Sequence, residues 1–376
     1  MEIRKSSWAE ISAAALKNNI SVMRSLLDPG TKICAVLKGN AYGLGIVMIK
    51  KYLEDNGLCE MFSCGTMNEL IELNEKTGSR SEILVLGFCM ADELEEAFTA
   101  GLISFETSVF SVWNAGQFFA FEKLAKKLGK KIKVHIRIDE WDSGMGLGHE
   151  DYFRLEDELF SSPYIDICGL FGHIYSSYDE DTVETERELK VFDDFVKRIN
   201  PAYRARITVH VQNSALIFKY PSYSYDMART GSALYGMPFE DGGKLKPVMS
   251  ICGTVFSVHD VDKDVPLCYE AKNVTDGTRR IARVMIGYAD CPLLLNQKKV
   301  YVLIKGRLFS LADEACMDNL CVDITGNDDV SVGDKAVLLG KPGVNAEEIV
   351  SRNGIDHVHC DWMLITAGRL EKVLVE

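Results

Sequence analysis

The chain has 376 residues, 47% hydrophobic and 26% charged, the balance of a packed globular protein rather than a disordered or fibrous one. Acidic residues number 55 against 42 basic, a net charge of -13, and no basic cluster interleaves with aromatics, which speaks against a nucleic-acid partner. No apolar run approaches the roughly 20 residues that span a bilayer, and the start MEIRKSSWAEIS has no apolar signal core, so a cytoplasmic protein without a membrane partner is expected.

Taken in chain order, residues 33 to 236 alternate short apolar runs with amphipathic segments. The runs are KICAVLK, MFSCGT, EILVLG, LISFETS, KVHIRID, IDICGLFGHI, ITVHVQNS and MARTGSALYG. Between them lie ELEEAFTAG, FFAFEKLAKKLG, ELKVFDDFVKRIN and similar stretches with apolar residues at three- and four-residue steps, as at Met67, Leu70 and Ile71. Strand then helix, eight times over, predicts a (β/α)8 barrel, assigned to residues 1–240. After Gly236 the helical period fades, and VMSICGTVFSVHDV, RRIARVMIGYAD, KVYVLIKG and KAVLLG alternate or are β-branched, which predicts a mostly β domain over 241–376.

Three groups invite a bland reading. Eleven cysteines, an odd number without a CxxC pair, are expected as reduced and mostly buried thiols, with no zinc site. Trp113, Phe118 and Phe119 stand at helical spacing and are expected in the core. His357 and His359 form an HxH pair without a third ligand at usable spacing, so a solvated pair is expected and no metal.

In such a barrel the active site gathers at the C-terminal ends of the strands. The first run ends in Lys38, followed by Tyr42; the sixth ends in His173, the seventh in Asn213 and Ser214, and the eighth holds Arg229. A lysine there is either an ammonium snorkelling from the barrel mouth or a desolvated, nucleophilic amine suited to Schiff-base chemistry. Phosphate sites in these barrels collect after the last two strands, where the loops here are NSAL and RTGS. Ser214, Gly231 and Ser232 are the residue types wanted: a hydroxyl donates, and glycine lets backbone N–H groups approach an anion.

AVLKGNAYGLG, GLFGHIYSSYDE, NSA, MARTGSALYG, IGYAD and ACMDN occur in that order, and with them the chain resembles the alanine racemase family from SWAEI at 7–11 to about Ile324. The resemblance implies an enzyme that carries pyridoxal 5'-phosphate (PLP) on Lys38 and interconverts the two hands of an amino acid. It implies that Tyr42, Ser214, Gly231 and Ser232 contact the phosphate, that His173 and Asn213 support the cofactor, and that Arg229 faces the pyridine nitrogen. Tyr288 matches the second acid/base. It also implies a head-to-tail homodimer in which the second domain of one subunit supplies Tyr288 and the Cys316, Met317 and Asp318 segment to the other's site. The chemistry is consistent, because racemisation needs one acid/base on each side of a planar carbanion. An arginine, always charged and only a donor, discourages protonation of the nitrogen beside it.

The chain departs from the family's pattern at several positions. The family's DTGMxR segment is here DSGMGL, preceded by Glu140 and Trp141, so Leu147 stands in place of the arginine that pairs with the substrate carboxylate. Leu44 stands where a histidine is common, and Cys360 and Asp361 where a tyrosine before a glutamate is usual. These changes predict a pocket for serine or a longer polar amino acid rather than alanine. They also keep two other classes open, a PLP-dependent decarboxylase of the same fold and a non-catalytic PLP-binding protein. Arg229 and IGYAD argue against the first, and the long β domain against the second.

Overall fold

A computed structural model describes residues 6–78, 80–139, 143–237, 242–268, 277–292, 294, 299–353 and 369–376. The N-terminal strand β1 (Ser7–Ser12) precedes the barrel but belongs to the second sheet. The barrel strands are β2 (Lys32–Val36), β3 (Met61–Cys64), β4 (Ile83–Val85), β5 (Ser108–Val112) and β6 (Ile132–Asp139), followed after the two-residue β7 (Leu147–Gly148) by β8 (Ile165–Phe171), β9 (Thr208–His210) and β10 (Met227–Thr230). Apart from β7, which pairs only with β6, they pair in parallel in that order, and β10 pairs back onto β2. The seam between β9 and β10 is bridged by backbone bonds, Asp226 N–H to Val209 O at 3.0 Å and Arg229 N–H to Gln212 O at 3.0 Å.

Each strand is buried on both faces, which is why the sequence runs are continuously apolar. Cys34, Met61, Leu84, Val109 and Met227 pack together as an interior layer, whereas their neighbours Ile33, Phe62, Ile83 and Phe110 join the larger core under the helices. The helices begin and end where local chemistry dictates. Thr66, Asn114 and Asp181 accept hydrogen bonds from first-turn N–H groups, and Gly78 and Gly129 close two helices in the left-handed conformation.

One predicted strand is misplaced. LISFETS does not form the fourth barrel strand; that strand is Ser108–Val112, which begins on the run's last residue. Ile103 and Phe105 are apolar because they pack under the preceding helix, where the Phe105 ring stacks on Phe98 with centroids 4.4 Å apart.

The second domain contributes β11 (Met249–Val261), β12 (Arg279–Val284), β13 (Tyr301–Ile304), β14 (Arg307–Ser310), β15 (Leu320–Asp323), β16 (Lys335–Leu339) and β17 (Glu371–Val375). Strand β1 sits between β11, antiparallel, and β17, parallel, tying the chain's two ends into one sheet. The cysteines of the described residues are free thiols, most of them buried. Among these residues no helix is long and apolar enough to cross a membrane. His357, His359, Cys360 and Asp361 lie outside the described residues, as do Glu140, Trp141 and Asp142.

Candidate active site

A cavity of about 650 Å³ opens at the C-terminal mouth of the barrel. Lys38, Tyr42, His173, Asn213, Ser214, Arg229, Gly231 and Ser232 all line it. So do Trp113, Arg137, Met145, Tyr175 and Tyr178, which were not among the expected site residues. Trp113 therefore leaves the core assigned to it, and of its two companions Phe118 is buried while Phe119 is 36% exposed.

Lys38 is aimed by a strained turn. Gly39, Asn40, Ala41 and Tyr42 all have left-handed backbones, with φ of 67°, 57°, 54° and 55°. For the three residues that carry a Cβ this costs on the order of 1–2 kcal/mol each, so neighbours must hold the turn. Glu69 does so: one carboxylate oxygen accepts from Asn40 N–H at 2.8 Å and the other from Gly65 N–H at 2.7 Å. Asn40 Oδ1 accepts from Ile46 N–H at 2.8 Å and closes the far side. The turn swings the Tyr42 ring against Tyr235, centroids 5.0 Å apart, and brings its hydroxyl over Gly231. A Cβ at position 231 would lie 2.4 Å from that hydroxyl, so only glycine fits.

Around Gly231 the donors converge. Ser214 Oγ lies 3.1 Å from both Gly231 N–H and Ala233 N–H, and Ser232 Oγ is 3.0 Å from Tyr178 Oη. Asn213 caps the helix Ser214–Lys219, accepting from Leu216 N–H at 3.1 Å and donating to Ser177 Oγ at 2.7 Å. Because Ser214 Oγ accepts from both N–H groups, its own proton is left to donate, and with the Tyr42 and Ser232 hydroxyls beside it this end of the cavity offers donors suited to a doubly charged phosphate.

Arg229 is buried, and its side chain sets the tautomers of two histidines. One Nη donates to His210 Nδ1 at 2.6 Å and to His210 O at 3.1 Å; the other donates to Gly172 O at 2.8 Å. A guanidinium cannot accept, so His210 Nδ1 is the bare nitrogen and His210 Nε2 carries the proton. That proton is donated to His135 Nδ1, 2.9 Å away. Burial first and the Arg229 charge second hold His135 and His173 down to about 3, and the same causes push His210 well below its usual range. The interior network is therefore one fixed cation and neutral imidazoles. Gly169 makes room for it, since a Cβ there would sit 2.4 Å from the His135 ring.

This arrangement predicts an acid-labile fold. The unfolded chain takes up protons at these imidazoles near pH 6.5 while the folded chain resists, so their stabilisation is complete above that pH and is lost as the pH falls toward 3. At pH 5 His135 alone should cost about 2 kcal/mol. Chemical denaturation at pH 7 and pH 5 measures it. A stability unchanged between the two, or a loss undiminished in His135→Gln, would contradict the neutral network.

Tyr288, Met317 and Asp318 do not line this cavity within one chain. They form their own cluster in the second domain. Tyr288 N–H bonds to Cys316 O at 3.0 Å, Ala289 N–H to Met317 O at 3.1 Å, and a Cβ at Gly287 would lie 2.0 Å from Met317 O. Arg369 braces the cluster, bonding to the buried Asp290 at 3.0 Å and to Asp318. Met317 itself is 48% exposed.

Comparison with known proteins assigns the architecture. The family model "Alanine racemase, N-terminal domain" matches residues 11–238, and "Alanine racemase, C-terminal domain" matches residues 248–366. The chain belongs to the alanine racemase family. It is 32% identical over 343 residues to the alanine racemase of Clostridium perfringens (strain SM101 / Type A), covering 89% of this chain and 86% of that protein. The solved alanine racemase of Clostridium difficile 630 superposes with a TM-score of 0.88 at 29% identity, over 100% of this chain and 97% of that one. The fold extends to the alanine racemase from Bartonella henselae with covalently bound pyridoxal phosphate, TM-score 0.81 at 23% identity, over 99% of this chain and 100% of that one. Membership in the alanine racemase family makes the chain a PLP-dependent racemase. The residues present fit that cofactor: one cavity is lined by an amine, by a group of hydroxyl donors around Gly231, where a Cβ would collide with the Tyr42 hydroxyl, and by a buried guanidinium.

Proposed function

We propose that the chain racemises a small amino acid by two-base proton exchange, with Lys38 and Tyr288 as the acid/bases and two subunits sharing each site. The observation that carries this reading is that Lys38 shares one cavity with the hydroxyl donors around Gly231 and with Arg229. Tyr42, Ser214, Ser232 and the N–H of Gly231 would hold the cofactor's phosphate, Asn213 would position Ser214, and Arg229 would face the ring nitrogen with the neutral His173 beside it. PLP bound there supplies an electron sink that acidifies the substrate's α-carbon.

The protein's own groups do the rest. Lys38 Nζ removes or returns the α-proton on one face. Tyr288 Oη of the partner subunit serves the other face, because within one chain Tyr288 stays outside the cavity. Met317 and Asp318 travel with Tyr288 and would wall the substrate's entrance. Arg229 stays charged and only donates, so the nitrogen beside it is left unprotonated and negative charge is kept near the α-carbon, where reprotonation completes inversion.

Alanine, named by the relatives, is the first substrate candidate. The departure at Cys360, a smaller residue where the family usually carries a tyrosine, adds side chains larger than methyl, serine first. Incubating the holoenzyme with single enantiomers of alanine, serine and longer polar amino acids in D2O tests both points. Inversion with deuterium at the α-carbon is expected, with measurable turnover on serine. Release of CO2 without inversion would indicate decarboxylation, and neither event would indicate a binding protein. Turnover confined to alanine would remove the case for a widened pocket.

A further inference from the structure

Three cationic side chains line the cavity: Lys38, Arg137 and Arg229. Lys38 is committed to the cofactor on the proposed function, on which this inference rests. Arg229 is buried against His210 and the carbonyls of His210 and Gly172. Arg137 differs from both. It lies near the C-terminal end of β6, four strands round the eight-strand ring from the strand that delivers Lys38, and so stands across the barrel mouth from it.

Its guanidinium is oriented, and among the described residues no carboxylate pairs with it. The Trp113 ring lies 4.3 Å beneath it and Tyr175 Oη accepts from one Nη at 2.7 Å. A guanidinium has five N–H donors, and among the described residues only the tyrosine hydroxyl accepts from this one. The carboxylate nearest in sequence, Asp139, is turned to its own loop, accepting from Ser143 Oγ at 3.1 Å and from Met145 N–H at 2.8 Å. The Arg137 charge nevertheless reaches the site, since it is one of the charges holding His173 neutral. Leu147, which occupies the place expected for the carboxylate-pairing arginine, is buried in the hydrophobic core beside Ile138 and lines no part of the cavity.

A flat cation stacked on an aromatic ring, with its remaining N–H groups free toward a cavity, has the geometry that binds a carboxylate in two-pronged fashion. We infer that Arg137 is the residue that holds the substrate's α-carboxylate in this chain, from β6 rather than from the segment ending in Leu147. The carboxylate would then sit opposite Lys38, with the α-carbon between the two.

The test is a spectral titration of the PLP-loaded enzyme with L-alanine and L-serine, set against L-alaninol, which keeps the amine and lacks the carboxylate. Arg137→Ala should weaken binding of both amino acids by about 10- to 100-fold and of alaninol by less than about 3-fold. Arg137→Lys, which keeps the charge but not the fork, should fall between, and it carries the comparison if Arg137→Ala fails to load cofactor. Equal weakening of amino acids and alaninol, or no weakening of either, would overturn the assignment. Because the readout is binding, a wild-type enzyme that binds L-alanine without inverting it would refute the racemase reading and leave this test decisive.

Discussion

Replacing Lys38 by alanine should abolish both covalent cofactor and turnover, lowering the rate by at least about a thousand-fold, since on the proposed function the variant loses the cofactor's anchor and one of the two proton carriers together. Lys38 is the one lysine among the described residues that line the cavity, so no neighbour can take its place. The wild-type holoenzyme should be yellow, and borohydride reduction followed by peptide mapping should place the pyridoxyl group in AVLKGNAYG. A label recovered on another lysine, or a Lys38→Ala protein that keeps its colour after dialysis and reduction, would refute the assignment. The effect should be local. Position 38 precedes the left-handed turn rather than forming it, and the Glu69 contacts that hold Asn40 and Gly65 do not involve the lysine side chain.

Much of the fold was legible because the barrel strands are buried on both faces and so appear as apolar runs, with capping residues such as Thr66 and Asn114 between them. The fourth barrel strand was misread because Ile103 and Phe105 are apolar for a different reason, packing beneath a helix. Lys38, Tyr42, His173, Asn213, Ser214, Arg229, Gly231 and Ser232 were legible as residues of one cavity because they cluster at strand ends in segments a few residues long. Arg137 was not. It stands inside the run KVHIRID, and its orientation is set by Trp113 and by Tyr175, 38 residues on, which no local pattern connects to it. Trp113 was misjudged for the same reason, since helical spacing with Phe118 hid its place at the mouth. The chain Arg229–His210–His135 joins three strands and leaves no spacing signature at all. Leu147 is buried beside Ile138 on β6, whereas Arg137 of that same strand lines the cavity, so side-chain direction rather than sequence register decides what faces it.

Mixed dimers should recover activity from two dead parents. Tyr288→Phe should lose about 10²- to 10⁴-fold in rate, the usual contribution of a positioned proton carrier, and Lys38→Ala at least as much. Co-refolded in equal amounts, the two variants assort so that about half the dimers are mixed. In each mixed dimer one site combines intact Lys38 from one chain with intact Tyr288 from the other, and the second site carries both defects. Total activity should therefore return to about a quarter of wild type, although neither parent exceeds background. The expectation follows from where the residues stand. Backbone hydrogen bonds from Tyr288 and Ala289 fix this stretch to Cys316 and Met317, and that cluster lies outside the Lys38 cavity with Met317 48% exposed. Tyr288 does not line the cavity of its own chain, and on the proposed function a second subunit packed head to tail presents it. Mixed dimers isolated through two different affinity tags and found without activity would show that each chain completes its own site.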